Sequence, residues 1–94
     1  MPEKFIMFYG QDCPHCHAMM PLVDKLEKEL SIKIPRKEVW NDDKNAEEMR
    51  KYAHEINHAC GGELGVPSFV NLENKTALCG ETNYDNLKLW ATKK

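Results

Sequence analysis

Two thiols separated by two residues, Cys13 and Cys16, stand where an apolar run gives way to a helical pattern. The run Phe5-Ile6-Met7-Phe8-Tyr9 has the length and composition of a strand, and the residues after Cys13 recur at helical spacing. The pair therefore sits at a strand-to-helix junction. Free amide groups and the positive end of the helix dipole favour an anion there, which places Cys13 to ionise below the free-thiol value of roughly 8.5. Cys16, one turn further on, directs its sulfur back towards Cys13 and is the less open to solvent. Such a pair can close to a disulfide and open again. The chemistry is thiol-disulfide exchange, which needs an exposed thiolate, a second thiol to resolve the mixed disulfide, and a surface that aligns the substrate.

The neighbours of the two cysteines pull in different directions. Asp12 opposes ionisation of Cys13, whereas His15, between the cysteines, stabilises a thiolate as a cation or a hydrogen-bond donor. In a competing arrangement Asp12 holds His15 in a salt bridge pointing away from the sulfur. Pro14 is tolerated in the first helical turn, where its missing amide proton costs nothing. Cys13-Pro14-His15-Cys16-His17 is also literally C-x-x-C-H, the pattern of covalent haem attachment, but a strand sequence precedes it and no export signal is visible, so His17 reads as a helix-surface residue. Zinc is the other rival for four thiols, with His58 close to Cys60; a structural site shows two closely spaced ligand pairs, and the second pair is missing. No cofactor or metal is expected beyond the redox-active disulfide itself. Cys60 and Cys79 are left with three readings: free buried thiols, a disulfide with each other, or redox partners of the main pair.

The elements that position these residues fit one domain, residues 1–94. The chain has 94 residues, 41% of them hydrophobic and 30% charged, with a net charge of -2. Lys and Arg are not clustered, so no nucleic-acid surface is expected. The longest apolar run is far short of the roughly 20 residues that cross a bilayer, and no signal peptide is apparent, so neither membrane association nor export is expected and the cytoplasm is favoured.

After the first strand, a helix is expected from about Cys13 to Leu30, with Met19, Leu22, Val23, Leu26 and Leu30 on its apolar face and Pro21 kinking it. Residues 32–40 read as extended, with Ile32, Ile34 and Val39 inward and Pro35 keeping the early part at an edge or outside the sheet. Asn41-Asp42-Asp43 caps a second helix carrying Met49, Tyr52, Ala53 and Ile56 and ending near Asn57 or His58. The glycine-rich segment 58–65 reads as a loop leading to Val66-Pro67 and a strand over residues 68–72. Glu73-Asn74 reads as a tight turn, Thr76 to Cys79 as a hairpin strand broken by Gly80, and Thr82 or Asn83 as the cap of a last helix with Tyr84, Leu87, Trp90 and Ala91 on one face.

This β-α-β-α-β-β-α order resembles the thioredoxin superfamily over essentially the whole chain. Four features carry the resemblance: the C-x-x-C at its junction, Pro21 within the first helix, Val66-Pro67 before the third strand, and Cys79-Gly80 closing the hairpin. The resemblance implies an α/β thioredoxin fold, a four-stranded mixed sheet in the order 2-1-3-4 flanked by three helices. It implies a cis Pro67 facing Cys13, with Val66 pairing its backbone to an extended substrate and Gly80 bordering the same surface.

Cys-Pro-His-Cys and Gly65-Val66-Pro67 are similar to the motifs of DsbA-type oxidases, without room for their inserted helical domain, and the size is that of a glutaredoxin. Many thioredoxins have a buried acid where this chain has Met7, and a tryptophan where it has Asp12. Glutaredoxins usually have Thr before the cis-proline and Gly-Gly where this chain has Cys79-Gly80. The expected function is a monomeric protein thiol-disulfide oxidoreductase with Cys13 as nucleophile, Cys16 as resolving thiol and His15 tuning the thiolate. Its partners would be protein disulfides or dithiols and an unidentified redox partner, a reductase or glutathione. The alternatives are a non-catalytic thioredoxin-fold or metal-binding module and a glutathione-dependent reductase of the glutaredoxin type.

Overall fold

In the computed structural model, which describes residues 4–62 and 65–92, the apolar run becomes a strand that carries the rest of the sheet. Strand β1 (Phe5–Tyr9) pairs on one side with β2 (Arg36–Glu38), parallel, and on the other with β3 (Ser68–Asn71), antiparallel; β4 (Thr76–Cys79) closes a hairpin with β3. The sheet order is β2-β1-β3-β4. Because β1 lies between two layers, it is apolar at every position: Phe5 and Met7 join one core, Ile6 and Phe8 the other.

Helix α1 (Pro14–Leu30) and α4 (Tyr84–Thr92) cover the first face, where Met19, Val23, Leu26, Phe69, Leu87 and Trp90 are buried together. Helices α2 (Asp43–Lys51) and α3 (Ala53–Cys60) cover the second, burying Met49 and Ile56 against Ile6, Phe8 and Val70. Pro21 does lie inside α1, and Asp42 and Asn83 cap their helices, accepting from the amides of Asn45 at 3.1 Å and Asn86 at 2.8 Å. Asn71 accepts from the amides of Glu73 and Asn74 and so builds the hairpin turn.

The structure corrects the sequence reading in two places on this second face. One helix was expected over α2 and α3, making three in all, and the described residues form four: the chain breaks at Tyr52, whose amide bonds to the Met49 carbonyl at 3.0 Å before α3 begins. No Gly or Pro marks the break; the Tyr52 ring instead packs 6.3 Å from Phe8 on β1, a tertiary contact that a periodic stripe does not encode. The second correction is at the other end of α3, which runs to Cys60 rather than Asn57 or His58. Gly61 follows in the left-handed region at φ 82°, and its amide and that of Gly62 bond to the Asn57 carbonyl. Residues 58–60 are thus helical, and the rest of the expected loop includes residues 63 and 64, outside the described residues.

Strand β2 begins directly after Pro35, whose carbonyl accepts from the Met7 amide at 2.9 Å while its ring has no proton to donate. Arg36 secures this edge strand to α1 through Asp24 and through Glu27 at 3.0 Å.

Two carboxylates that bind elements together titrate below their ordinary value of 4.5. Glu29 is lowered by hydrogen bonds from Lys88 and then Tyr84, joining α1 to α4. Glu38 is raised by partial desolvation, but the backbone amides of Asn41, Gln11, Trp40 and Asp42 outweigh this and lower it. Because both groups bind a proton more readily in the unfolded chain, the stability they contribute is present above pH 4.5 and lost as the pH falls. Urea titrations of Glu29→Gln and Glu38→Gln should therefore show a shallower loss of stability between about pH 5 and pH 3 than the parent protein. A slope identical to the parent's would show that neither carboxylate contributes.

Candidate active site

Strand β1 ends in a turn that is held from two directions. Gly10 is buried beneath the Trp40 indole, so closely that a Cβ there would lie 2.3 Å from two ring carbons. Glu38 accepts from the Gln11 amide at 2.9 Å and from Trp40 and Asn41 at 3.0 and 2.7 Å, tying this turn to the loop after β2. The turn then delivers Cys13, whose amide bonds to the Gly10 carbonyl at 3.1 Å, to the N-cap position of α1.

An N-cap side chain satisfies a free amide in the first turn, and here the capping atom is sulfur: Cys13 Sγ accepts from the Cys16 amide at 3.3 Å. The sulfur thus takes the place that a capping oxygen usually holds at the start of the helix. Pro14 occupies the first helical position, where an amide proton would have no partner. Both cysteines are free thiols.

The pair is asymmetric as expected, but more enclosed than expected. Cys16 has no exposed surface, and its thiol is pushed up to about 12 by burial first and then by its hydrogen bond with Cys13. Cys13 was expected to be open to solvent, yet it is only 4% exposed. The cause is the segment opposite: Val66 and Pro67 approach through a cis peptide bond, and the Val66 carbonyl lies 4.0 Å from Cys13 Sγ. Pro67 is buried, and its carbonyl accepts from the Gly80 amide at 2.8 Å. Gly80 itself takes φ 87°, a conformation that suits glycine at this strand end.

His15 departs from both sequence readings. Its Nδ1 meets Glu81 Oε1 at 2.8 Å, in an exposed pair that joins the first turn of α1 to the loop after β4. The ring is thus engaged by Glu81, rather than by the Cys13 sulfur or by Asp12. His17 is exposed, and its ring turns back onto the Gln11 carbonyl.

Beside Cys13 lies an open cleft of about 670 Å³ lined by His15, Val66, Gly80, Glu81, Thr82 and Asn83. Of these, Glu81 had no signal in the sequence, and Thr82 and Asn83 read only as helix caps. Trp40 and Glu38 were missed too, because their role depends on strand pairing that sets residues 38–40 beside residues 9–11. Met19, read as packing, is buried in the core, and its sulfur also accepts from the Thr82 amide at 3.4 Å beneath the cleft.

The remaining thiols are joined: Cys60 and Cys79 form a disulfide with Cα atoms 5.3 Å apart. Of the three readings left open, the second holds. The bond takes two of the four thiols out of any shared metal site.

The two sulfurs of the C-x-x-C should therefore react very differently. Iodoacetamide at mildly acidic pH should modify Cys13 first, leaving Cys16 unmodified until the protein is unfolded, as peptide mass mapping would show. Faster labelling of Cys16 would reverse the assignment.

No protein-family model and no curated protein matches this sequence. Among solved structures, it is similar to the glutaredoxin from Methanosarcina mazei Go1, with a TM-score of 0.60 and 15% sequence identity over 98% of this chain and 80% of that one. With its four-stranded sheet in the order β2-β1-β3-β4, the chain shares the fold of that glutaredoxin.

Proposed function

We propose that the protein is a thiol-disulfide oxidoreductase acting on protein disulfides through Cys13 and Cys16. The observation that carries this reading is the position of Cys13 Sγ, which accepts from a helix-terminal amide at 3.3 Å while facing the Val66 carbonyl at 4.0 Å, with Cys16 buried behind it. In the reducing direction the Cys13 thiolate attacks one sulfur of a substrate disulfide, forming a mixed disulfide and releasing the other sulfur as a thiolate. Cys16 then loses its proton and attacks Cys13 Sγ, so that the Cys13–Cys16 disulfide forms and the second substrate thiol leaves. Two electrons pass to the substrate with the proton from Cys16, the second substrate sulfur taking its proton from solvent, and the oxidising direction is the reverse.

Val66 supplies the backbone edge along which an extended substrate aligns, Pro67 holds that edge opposite the sulfur, and Gly80 borders it. Gly10, Trp40 and Glu38 act as positioning residues for the turn. A reductase or glutathione restores the starting dithiol, and a cytoplasmic setting suits the reducing direction. The glutaredoxin name of the structural neighbour supports glutathione as one candidate partner.

Insulin reduction with dithiothreitol tests the reading: the parent protein should accelerate it, and an intact dithiol form without turnover would refute it. Cys13→Ser should abolish exchange, whereas Cys16→Ser should accumulate a mixed disulfide through Cys13, seen as a mass increase that dithiothreitol removes. Retained turnover in Cys13→Ser would assign the nucleophile elsewhere.

His15 gives a second, quantitative test. An exposed ion pair is worth about 1 kcal/mol or less, and a two-electron potential moves about 30 mV per 1.4 kcal/mol. With its ring engaged by Glu81, His15→Gly should shift the Cys13–Cys16 potential by less than about 20 mV in glutathione redox buffers. A shift of many tens of millivolts would place His15 in direct contact with the thiolate during the reaction.

A further inference from the structure

The proposed exchange cycle leaves one sulfur group unused, the Cys60–Cys79 disulfide, and the following inference rests on that cycle. Cys60 ends α3 and Cys79 ends β4, so the bridge joins two elements on either side of the segment that carries the cis bond. A Cβ built on Gly65 would sit 3.6 Å from both sulfurs, which means that the Gly65 backbone lies directly against the bridge. The next residue is Val66, whose carbonyl faces Cys13 Sγ at 4.0 Å. The same short segment is held from β3 and β4 as well: Ser68 Oγ donates to the Gly65 carbonyl, and the Gly80 amide, directly after Cys79, donates to the Pro67 carbonyl at 2.8 Å. An unbroken series of contacts thus leads from the bridge through Gly65 and Val66 to the nucleophile. Neither Cys60 nor Cys79 is fully buried, and Ser68 Oγ, 3.9 Å from Cys60 Sγ, stands ready to accept from a thiol there.

We propose that Cys60–Cys79 is a second redox site, a reversible clamp on the substrate-pairing segment that holds Gly65-Val66 against Cys13 when closed and weakens capture of substrate disulfides when opened by a dithiol. The opening balances as an ordinary exchange. One thiolate of the dithiol attacks a bridge sulfur, forming a mixed disulfide and freeing the other cysteine. The second thiol of the donor then displaces the first cysteine, so the donor leaves as a disulfide and Cys60 and Cys79 each gain a proton and one electron. Opening removes the cross-link between residues 19 apart in sequence and returns conformational freedom to the segment between them.

The test compares bridge-closed and bridge-open protein, both with Cys13 and Cys16 reduced, prepared in graded dithiothreitol buffers and identified by alkylation and mass. Each form, and the double variant Cys60→Ala/Cys79→Ala, is mixed with a peptide disulfide without added reductant and followed by stopped-flow fluorescence. Opening the bridge should raise the half-saturating peptide concentration about fivefold or more, the effect of re-ordering one backbone unit on binding. The maximal rate should change less than about twofold, and iodoacetamide labelling of Cys13, which Val66 encloses, should hold steady or rise.

Equal half-saturation in the two forms would overturn the clamp, as would a parallel fall in labelling, which signals general loss of structure. A bridge that resists native dithiol until the protein unfolds would make it a permanent staple and equally overturn the proposal. If the double variant does not fold, the two forms of the parent protein decide. Failure of every form to react with peptide while Cys13 still labels would refute the oxidoreductase reading itself; reaction independent of the bridge refutes only the clamp.

Discussion

The hydrogen bond from the Cys16 amide to the Cys13 sulfur is the constraint around which the molecule is arranged. A helix start is usually capped by oxygen, and using sulfur there puts the thiol in the field of the first turn while spending the amide that would otherwise go unpaired. For this to work the backbone must reach Cys13 in one orientation. Strand β1, buried on both faces, supplies a stiff lead, and the Gly10 turn under Trp40 fixes the exit direction. Glu38 adds an electrostatic tie, holding amides from both loops at that end of the sheet with one carboxylate.

Two identical side chains three positions apart acquire opposite characters from this arrangement. Cys16 faces the core side of α1 with Met19, Val23 and Leu26, and burial holds its proton in place. Cys13 faces a carbonyl and the entrance of a cleft. Its low exposure does not conflict with exchange chemistry, because the proposed approach is along the Val66 edge, with the substrate backbone aligned before the sulfurs meet.

The rim of the cleft has its own electrostatics. His15 and Glu81 come from separate elements and meet directly in an exposed pair, so their pairing is cheap to break and contributes little to stability. By contrast, the Cys60–Cys79 bridge and the Gly80 amide act on the backbone of residues 65–67 from beneath. The rim is thus joined by exposed side chains, while the backbone opposite Cys13 is held from the interior.

Much of this molecule was determined by the sequence alone. The apolar run, the N-terminal C-x-x-C, the amphipathic stripe of α1 and the Pro35 limit on β2 are local, since periodicity, chain stiffness and missing donors act within a few residues. The sheet order and the cis Val66-Pro67 bond followed from the family resemblance. What only the tertiary structure decided depends on residues far apart in the chain. The break at Tyr52 answers to Phe8, the enclosure of Cys13 to Val66, the orientation of His15 to Glu81, and the fate of Cys60 to Cys79. In each case a side chain had several local options of similar energy, and the choice fell to a partner that chain folding brought within contact distance.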